Sequence, residues 1–464
     1  MATHTTTSKN KLRFMRAIGL LLWTDTTCLP GRALQVGIEP KCVGGQFSRG
    51  VLGITVLAWA VTSAQVQAAD PAPSLPKWKF TAAASLKETY DSNVMLQSVT
   101  PQANQASFVT TLTPSIGLAY QAGEPFGASI TYTPEVNWYH AEPAEDYTLH
   151  PVALKLKGQA SSVQWEIANN LSVIDGSSLG PTFTGPGGPP AAGGLAVRDR
   201  RDAVIERGKG QLTQSFGKWL WRGTVAGYLH DFHSVQKIAP GYQNYVDRSD
   251  LNGGLDLGCQ ITAKGRLWLG HRYGVQTQAP LFRDIDPTHY DSSYHRLLVS
   301  VEGQLTPWAR ASLSLGPEFR HYGGVLPAAF HDIHRTYFYS DSTLSLRLTE
   351  KDQVEFGVKA FEQPGFSGRS TYFDLTCDAT YRHKFSDKWT VGLGGRAYNA
   401  DFLIPAVRND WILSAHTYVS YQIAKQLSGE VSYVHEDGES RVDNTNGREY
   451  RRHLVAIGFK HTIR

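Results

Sequence analysis

The sequence predicts an all-β fold, a single closed antiparallel transmembrane β-barrel of about 18 strands (16–18), with short periplasmic turns and longer extracellular loops. Three observations predict it. Gly (44), Tyr (21), Phe (19) and Trp (11) are plentiful while Met is rare (3), a mix suited to pleated surfaces, tight turns and interfacial aromatics. Segments of about 12 to 16 residues alternate apolar with polar or small residues, the period of a strand. Short and long connections also alternate along the chain, as in hairpins with two unlike ends. The mean hydropathy of −0.29 agrees, because every second residue of a barrel strand faces water and only the others face lipid.

The amino-terminal region reads as export machinery. Arg49 precedes an apolar run at 50–64, followed by Gln65-Val66-Gln67-Ala68-Ala69-Asp70, which sets small residues where a signal peptidase cuts. Residues 1–69 are therefore expected to be an extension plus a secretory signal segment that is removed, 70–77 a short periplasmic linker, and 78–464 the barrel. The stretch 1–48 is longer than an ordinary charged n-region, as if translation were assigned to start too early. No cysteine sits at the cut to carry a lipid. Residues 1–69 hold seven basic and two acidic residues, leaving 38 basic against 39 acidic in the rest, so the formal charge of +4 implies no nucleic-acid partner. Cys259 and Cys377, the two cysteines past the cut, follow the apolar register of their strands and read as lipid-facing thiols.

Along the mature chain, Trp389, Val391, Leu393, Gly395 and Ala397 alternate with Thr390, Gly392, Gly394, Arg396 and Tyr398. Val354, Phe356, Val358 and Ala360 alternate with Gln353, Glu355, Gly357 and Lys359 in the same way. A soluble sandwich would also alternate, so the connections decide. Short polar ones at 121–125, 158–162, 216–218, 262–265, 306–307, 349–352, 385–388 and 424–426 alternate with long irregular ones such as 175–199, 231–243, 279–289, 322–334, 403–410 and 438–448. A sheet in hydrocarbon cannot leave an edge of unpaired N–H and C=O groups, so the last strand, from about 450 to the terminus, must pair with the first. Trp138, Tyr139, Trp219, Trp268, Trp308, Trp389 and Trp411 lie near strand ends and are assigned to interfacial girdles.

The first three strands carry Thr89-Tyr90-Asp91-Ser92-Asn93-Val94-Met95-Leu96, then Phe108-Val109-Thr110-Thr111-Leu112-Thr113-Pro114-Ser115-Ile116, then Glu145-Asp146-Tyr147 with His150. In these pieces the chain resembles the beta-barrel porin 2 family of outer-membrane proteins. The resemblance implies a single barrel in the bacterial outer membrane with no catalytic residues. The chain departs from it at Thr462-Ile463-Arg464, where such barrels finish on an aromatic residue that the insertion machinery reads.

Two tetrads could carry metal chemistry: His230-Asp231-Phe232-His233 and His331-Asp332-Ile333-His334, whose imidazoles and carboxylates suit a divalent ion. With 16 His in the chain, solvated loop residues are the commoner explanation, and no cofactor is expected. The lumen is expected to be lined by Arg266, Arg272, Arg310, Glu318, Arg320, Arg347, Glu355, Lys359, Arg396 and Glu430, with Arg222, Asp374, Asp378 and Arg382 beside them. Charge rings in a pore set ion selectivity, and the Arg excess predicts a slight preference for anions. The Gly and Pro-rich stretch 176–194 is expected to be a surface loop or a constriction. The leading expectation is a porin-like channel for passive diffusion of small hydrophilic solutes, not an enzyme. The alternative is a surface or polysaccharide-export barrel with a plugged lumen and working loops, and a barrel hydrolase ranks below both. Expected partners are outer-membrane lipid, the barrel-assembly machinery and small solutes; no residue pattern decides for or against a homo-oligomer.

Overall fold

The computed structural model describes residues 77–99, 104–122, 125–176, 202–233, 244–282, 285–366, 370–403, 408–441 and 449–463. The expected signal segment, the linker up to residue 76 and positions 177–194 of the Gly and Pro-rich stretch lie outside them. Among the described residues the strands are β1 (Lys77–Asp91), β2 (Ser107–Ala122), β3 (Phe126–Tyr132), β4 (Glu135–Tyr139), β5 (Tyr147–Ala160), β6 (Val163–Asp175) and β7 (Ala203–Phe216). The chain continues through β8 (Trp219–Phe232), β9 (Arg248–Gln260), β10 (Lys264–Gln278), β11 (Ser292–Thr306), β12 (Ala309–Tyr322) and β13 (His334–Arg347). It ends with β14 (Asp352–Pro364), β15 (Thr371–Lys384), β16 (Trp389–Phe402), β17 (Arg408–Ala424), β18 (Leu427–Ser440) and β19 (Tyr450–Ile463).

All pairings are antiparallel, and β1 pairs with both β2 and β19, so the sheet closes. β3 and β4 both lie between β2 and β5 and are two halves of one crossing, which makes the barrel an 18-strand ring. The break falls at Thr133-Pro134, where proline has no N–H to give the ladder. Thr133 instead donates its amide to Pro151 O at 3.1 Å. A 14-residue strand at a ~3.3 Å rise and a tilt of ~40° covers ~35 Å along the membrane normal, enough to cross the ~25 Å apolar band with both ends wet.

The connections alternate as expected: two to four residues at one end and five or more at the other, with both ends of the barrel chain at the short-turn side. That side is periplasmic by the asymmetry of outer-membrane barrels. Gly217, at φ +62° in the turn between β7 and β8, occupies a conformation that a side chain would strain.

The outer face of the described strands is apolar: Leu257 is 70% exposed, Leu269 66% and Trp219 60%. Such a band around a closed barrel suits a lipid bilayer, which places the protein in the outer membrane. Aromatic rings pair around its periplasmic edge, Trp78 with Tyr120 at 4.7 Å, Phe126 with Trp165 at 6.1 Å, and Trp389 with Tyr421 at 4.5 Å. Two residues assigned to girdles belong elsewhere. Trp268 is 1% exposed on the inner face, its ring 4.3 Å from the Arg222 guanidinium, and Tyr139 packs inward with Val94 and Tyr147. Strand parity overrides proximity to a strand end: Trp268 alternates with Leu267 and Leu269, which hold the lipid face. Cys259 and Cys377 are free thiols on the outward register, Cys259 with Leu257 and Cys377 with Phe373 and Leu375.

The lumen as candidate functional site

Opposite the apolar face, alternate residues of each strand point inward and carry most of the charge. On β8 to β12 these are arginines in ion pairs. Arg222 Nε bonds Asp256 Oδ2 at 2.6 Å and its Nη1 reaches Glu302 at 2.8 Å, while Arg272 holds the other Asp256 oxygen at 2.5 Å. Higher up, Glu318 is shared by Arg296 (2.5 Å) and Arg320 (2.6 Å), and Arg320 also pairs with Glu362 at 2.7 Å. The Arg296 guanidinium lies between the Tyr294 and Tyr339 rings, 4.1 Å from each centroid. Glycines make room for these flat groups: an added Cβ at Gly258 would sit 2.3 Å from the Trp268 ring, and one at Gly274 would sit 2.2 Å from Tyr294. Arg396 and Asp378 form a further buried pair at 2.6 Å on β15 and β16.

The outer half of the lumen is narrowed by backbone as well as side chains. β14 leaves β13 after the pair Ser340 and Ala360, yet stays paired with β15 as far as Pro364 and Thr371. The tip of this hairpin folds inward over the wall. Arg248 Nη1 donates to Pro364 O at 2.7 Å, Gln276 Nε2 to Glu362 O at 3.2 Å, Gln278 Nε2 to Gly365 O at 2.5 Å, and the Val246 amide to Phe366 O at 2.8 Å. Phe366 stacks on Tyr245, and Tyr245 on Phe232. Glu362 sits on the register of lipid-facing Val354, Phe356 and Val358 but is fully buried, because the fold turns that register onto the lumen wall. Its oxygens bind Arg320 and the Tyr322 hydroxyl, so the carboxylate is not left uncompensated.

The connection after β1 fills the opposite side. Asn93 Nδ2 donates to Gln97 O at 3.0 Å and to Arg451 O at 3.1 Å, tying the segment to β19. Val94 then packs with Val109, Tyr139 and Tyr147, and Leu96 with Tyr372, Tyr398, Phe402, Ile412 and Tyr450. Leu96 holds φ +53°, a left-handed conformation that costs a leucine about 1–2 kcal/mol and that its burial offsets. In the outer connections burial lifts the Asp247 carboxyl above its ordinary range, opposed by the Phe232 amide, and lifts the Tyr290 phenol, with Asp286 adding to the shift. At the periplasmic end the hydrogen bond from Lys384 lowers the Asp387 carboxyl.

A different surface lines β19, β1, β5 and β7. Lys79, Lys87, Lys157, Lys209 and Lys460 share the inward register and are exposed, and Lys155 beside them meets Glu166 at 3.1 Å. Arginines buried in pairs occupy one wall and hydrated lysines the other.

The residues expected at the lumen divide between these environments. Arg272, Glu318, Arg320 and Arg396 stand in ion pairs; Arg310, Arg347 and Glu430 are exposed; Arg266, Glu355 and Lys359 are half-buried. Arg222 and Asp378 are buried partners, Asp374 is buried beneath Tyr398, and Arg382 is exposed beside Gln353. Expectation did not single out Arg248, Asp256, Glu362 or the lysines. In the metal tetrads the strand sends neighbours to opposite faces: His230 stacks on Phe232 at 3.9 Å inside, while Asp231 is on the other side with His233 at 3.9 Å. His331 is exposed, Asp332 faces Arg335 at 3.9 Å, and His334 stacks on His321. Among the described residues no three His, Cys, Asp or Glu side chains gather as a metal site. A hydroxyl, imidazole and carboxylate do meet on the outer face, where Thr110 Oγ1 donates to Glu88 at 2.6 Å and lies 2.8 Å from His140 Nε2. Glu88 approaches that same Nε2 at 3.5 Å, whereas a nucleophilic relay needs the acid on the other ring nitrogen.

No protein-family model matches the sequence, and no curated protein matches it. The solved structures to which the chain is similar include the outer membrane protein opdK from Pseudomonas aeruginosa (10% identity, 83% of this chain and 99% of that chain, TM-score 0.40). They include a BenF-like porin from Pseudomonas fluorescens Pf-5 (10% identity, 83% and 99%, TM-score 0.42). Another is Pseudomonas aeruginosa OccK2 (OpdF) in complex with glucuronate (11% identity, 84% and 99%, TM-score 0.42).

Proposed function

We propose that this barrel is a porin-like channel of the outer membrane that passes small hydrophilic solutes by passive diffusion, with a preference for anions. The observation that carries the reading is the exposed lysine wall formed by Lys79, Lys87, Lys157, Lys209 and Lys460, across the lumen from the ion-paired arginines of β8 to β12. Paired charges cancel at a distance, so a permeating ion feels the unpaired cations most. The inward hairpin at 361–366 and the connection after β1 act as the constriction in the outer half, and the lysines stand below it toward the periplasmic end.

The test is single-channel recording of the refolded chain beginning at Asp70 in planar bilayers, with a salt gradient to read selectivity. Open steps with an anion-selective reversal potential are expected. Silence from a heat-modifiable, folded barrel overturns the channel and favours the second reading, a plugged surface or export barrel whose loops do the work. That reading draws on the packing of the hairpin tip against Arg248, Gln276 and Gln278.

A further inference from the structure

The outer face carries imidazoles on the same register as the lipid-facing residues, and besides the stacked His321 and His334, two cross-strand pairs bring ring nitrogens close together. His271 Nε2 lies 3.0 Å from His295 Nδ1, and His435 Nδ1 lies 3.3 Å from His453 Nδ1. The pairs differ in aim. In the first, ring centroids are 5.3 Å apart for a 3.0 Å nitrogen gap, so the nitrogens meet head-on along the line joining the rings, the arrangement of an N–H···N hydrogen bond. In the second, the nitrogen gap is wider but the centroids are only 4.7 Å apart, so the rings are angled and the nitrogens lie off the line joining them instead of meeting head-on.

Two nitrogens at about 2.0–2.1 Å from a tetrahedral metal lie about 3.3 Å apart, and at a right angle about 2.9 Å. The His435 and His453 spacing fits the first value. A third donor is at hand: the Tyr433 hydroxyl is 2.8 Å from His453 Nδ1. Tyr433 and His435 are two residues apart on β18 and so share its outer face, and His453 stands directly opposite His435 on β19. Nearby Asp437 is engaged by Arg451 at 3.3 Å, which leaves these three groups facing the membrane boundary. We propose that Tyr433, His435 and His453 form a site for a transition-metal ion of the copper and zinc class on the outer face of the β18 and β19 hairpin. Imidazole and phenolate donors suit such ions, with water completing the shell. The site rests on the barrel's register and not on the channel reading.

The experiment titrates Cu2+ into the untagged refolded barrel in detergent and reads electron paramagnetic resonance. One bound ion with coupling to two nitrogens is expected. His435→Gln and His453→Gln each abolish the two-nitrogen signal, Tyr433→Phe weakens binding but keeps it, and His271→Gln leaves it unchanged. A wild-type spectrum indistinguishable from that of His453→Gln overturns the site, as does loss of the signal in His271→Gln. Should a variant not fold, protection of His435 and His453 from acylation by Zn2+ in the wild-type barrel decides: protection supports the site, and equal labelling with and without Zn2+ overturns it.

Discussion

The arginine wall and the lysine wall of the lumen are built from the same formal charge and do opposite things with it. On β8 to β12, guanidinium forks hold carboxylates in two directions, as Arg320 does between Glu318 and Glu362, and rings such as Tyr294 and Trp268 cover their faces. On β1, β5, β7 and β19 the ammonium groups stand in water on flexible stems. Guanidinium is planar, weakly hydrated and suited to burial, whereas an ammonium is a compact and strongly hydrated charge. The difference teaches that charge held in buried pairs braces one wall while charge left exposed on the other stays available to solvent, a division that guanidinium and ammonium chemistry favours.

The comparison breaks most readily on stability. Glu318→Gln leaves Arg296 and Arg320 short of a carboxylate and should cost about 3–5 kcal/mol in urea refolding, while Lys157→Gln should stay within about 0.5 kcal/mol. Equal effects would erase the distinction. Arg248→Met removes the charged donor to Pro364 O and should cost about 1.5–3 kcal/mol. Its second readout is a larger single-channel conductance as the hairpin tip loosens. Gly258→Ala drives a methyl group into the Trp268 ring and should cost about 1–3 kcal/mol, with a red-shifted tryptophan emission as the check. The smallest stability effect and the sharpest functional one belong to the triple variant Lys157→Gln, Lys209→Gln and Lys460→Gln. It should fold like the wild type and move the reversal potential toward zero selectivity, with the contrast shrinking as salt rises.

The barrel was legible because each hairpin states its own register locally: polar and apolar residues alternate, and turn chemistry ends the strand. The inward hairpin was not, because Val354 to Ala360 alternate like any lipid-facing strand and nothing in that run announces where the backbone bends. Its one signal was chemical, an acid at Glu362 on the register that lipid should cover. Trp268 carried a similar signal in its parity, standing with Arg266 and Arg272 rather than with Leu267 and Leu269. Which arginine pairs with which carboxylate depends on strand stagger around a closed ring, as with Arg222 and Glu302, 80 positions apart. The Tyr433, His435 and His453 group was similarly hidden until β18 and β19 were set in register.

The seam between β1 and β19 joins residues that are far apart in sequence, and Asp91 is bonded there by Arg452 at 2.6 Å, 361 positions away. Such a contact carries a high loop-closure cost unless the intervening hairpins have already drawn the two ends together. A one-residue slip at that step would send Arg452 to the lipid side and leave Asp91 alone inside. The ion pair therefore serves as a checksum on assembly: a ring closed out of phase fails to satisfy it, and only the in-phase ring locks.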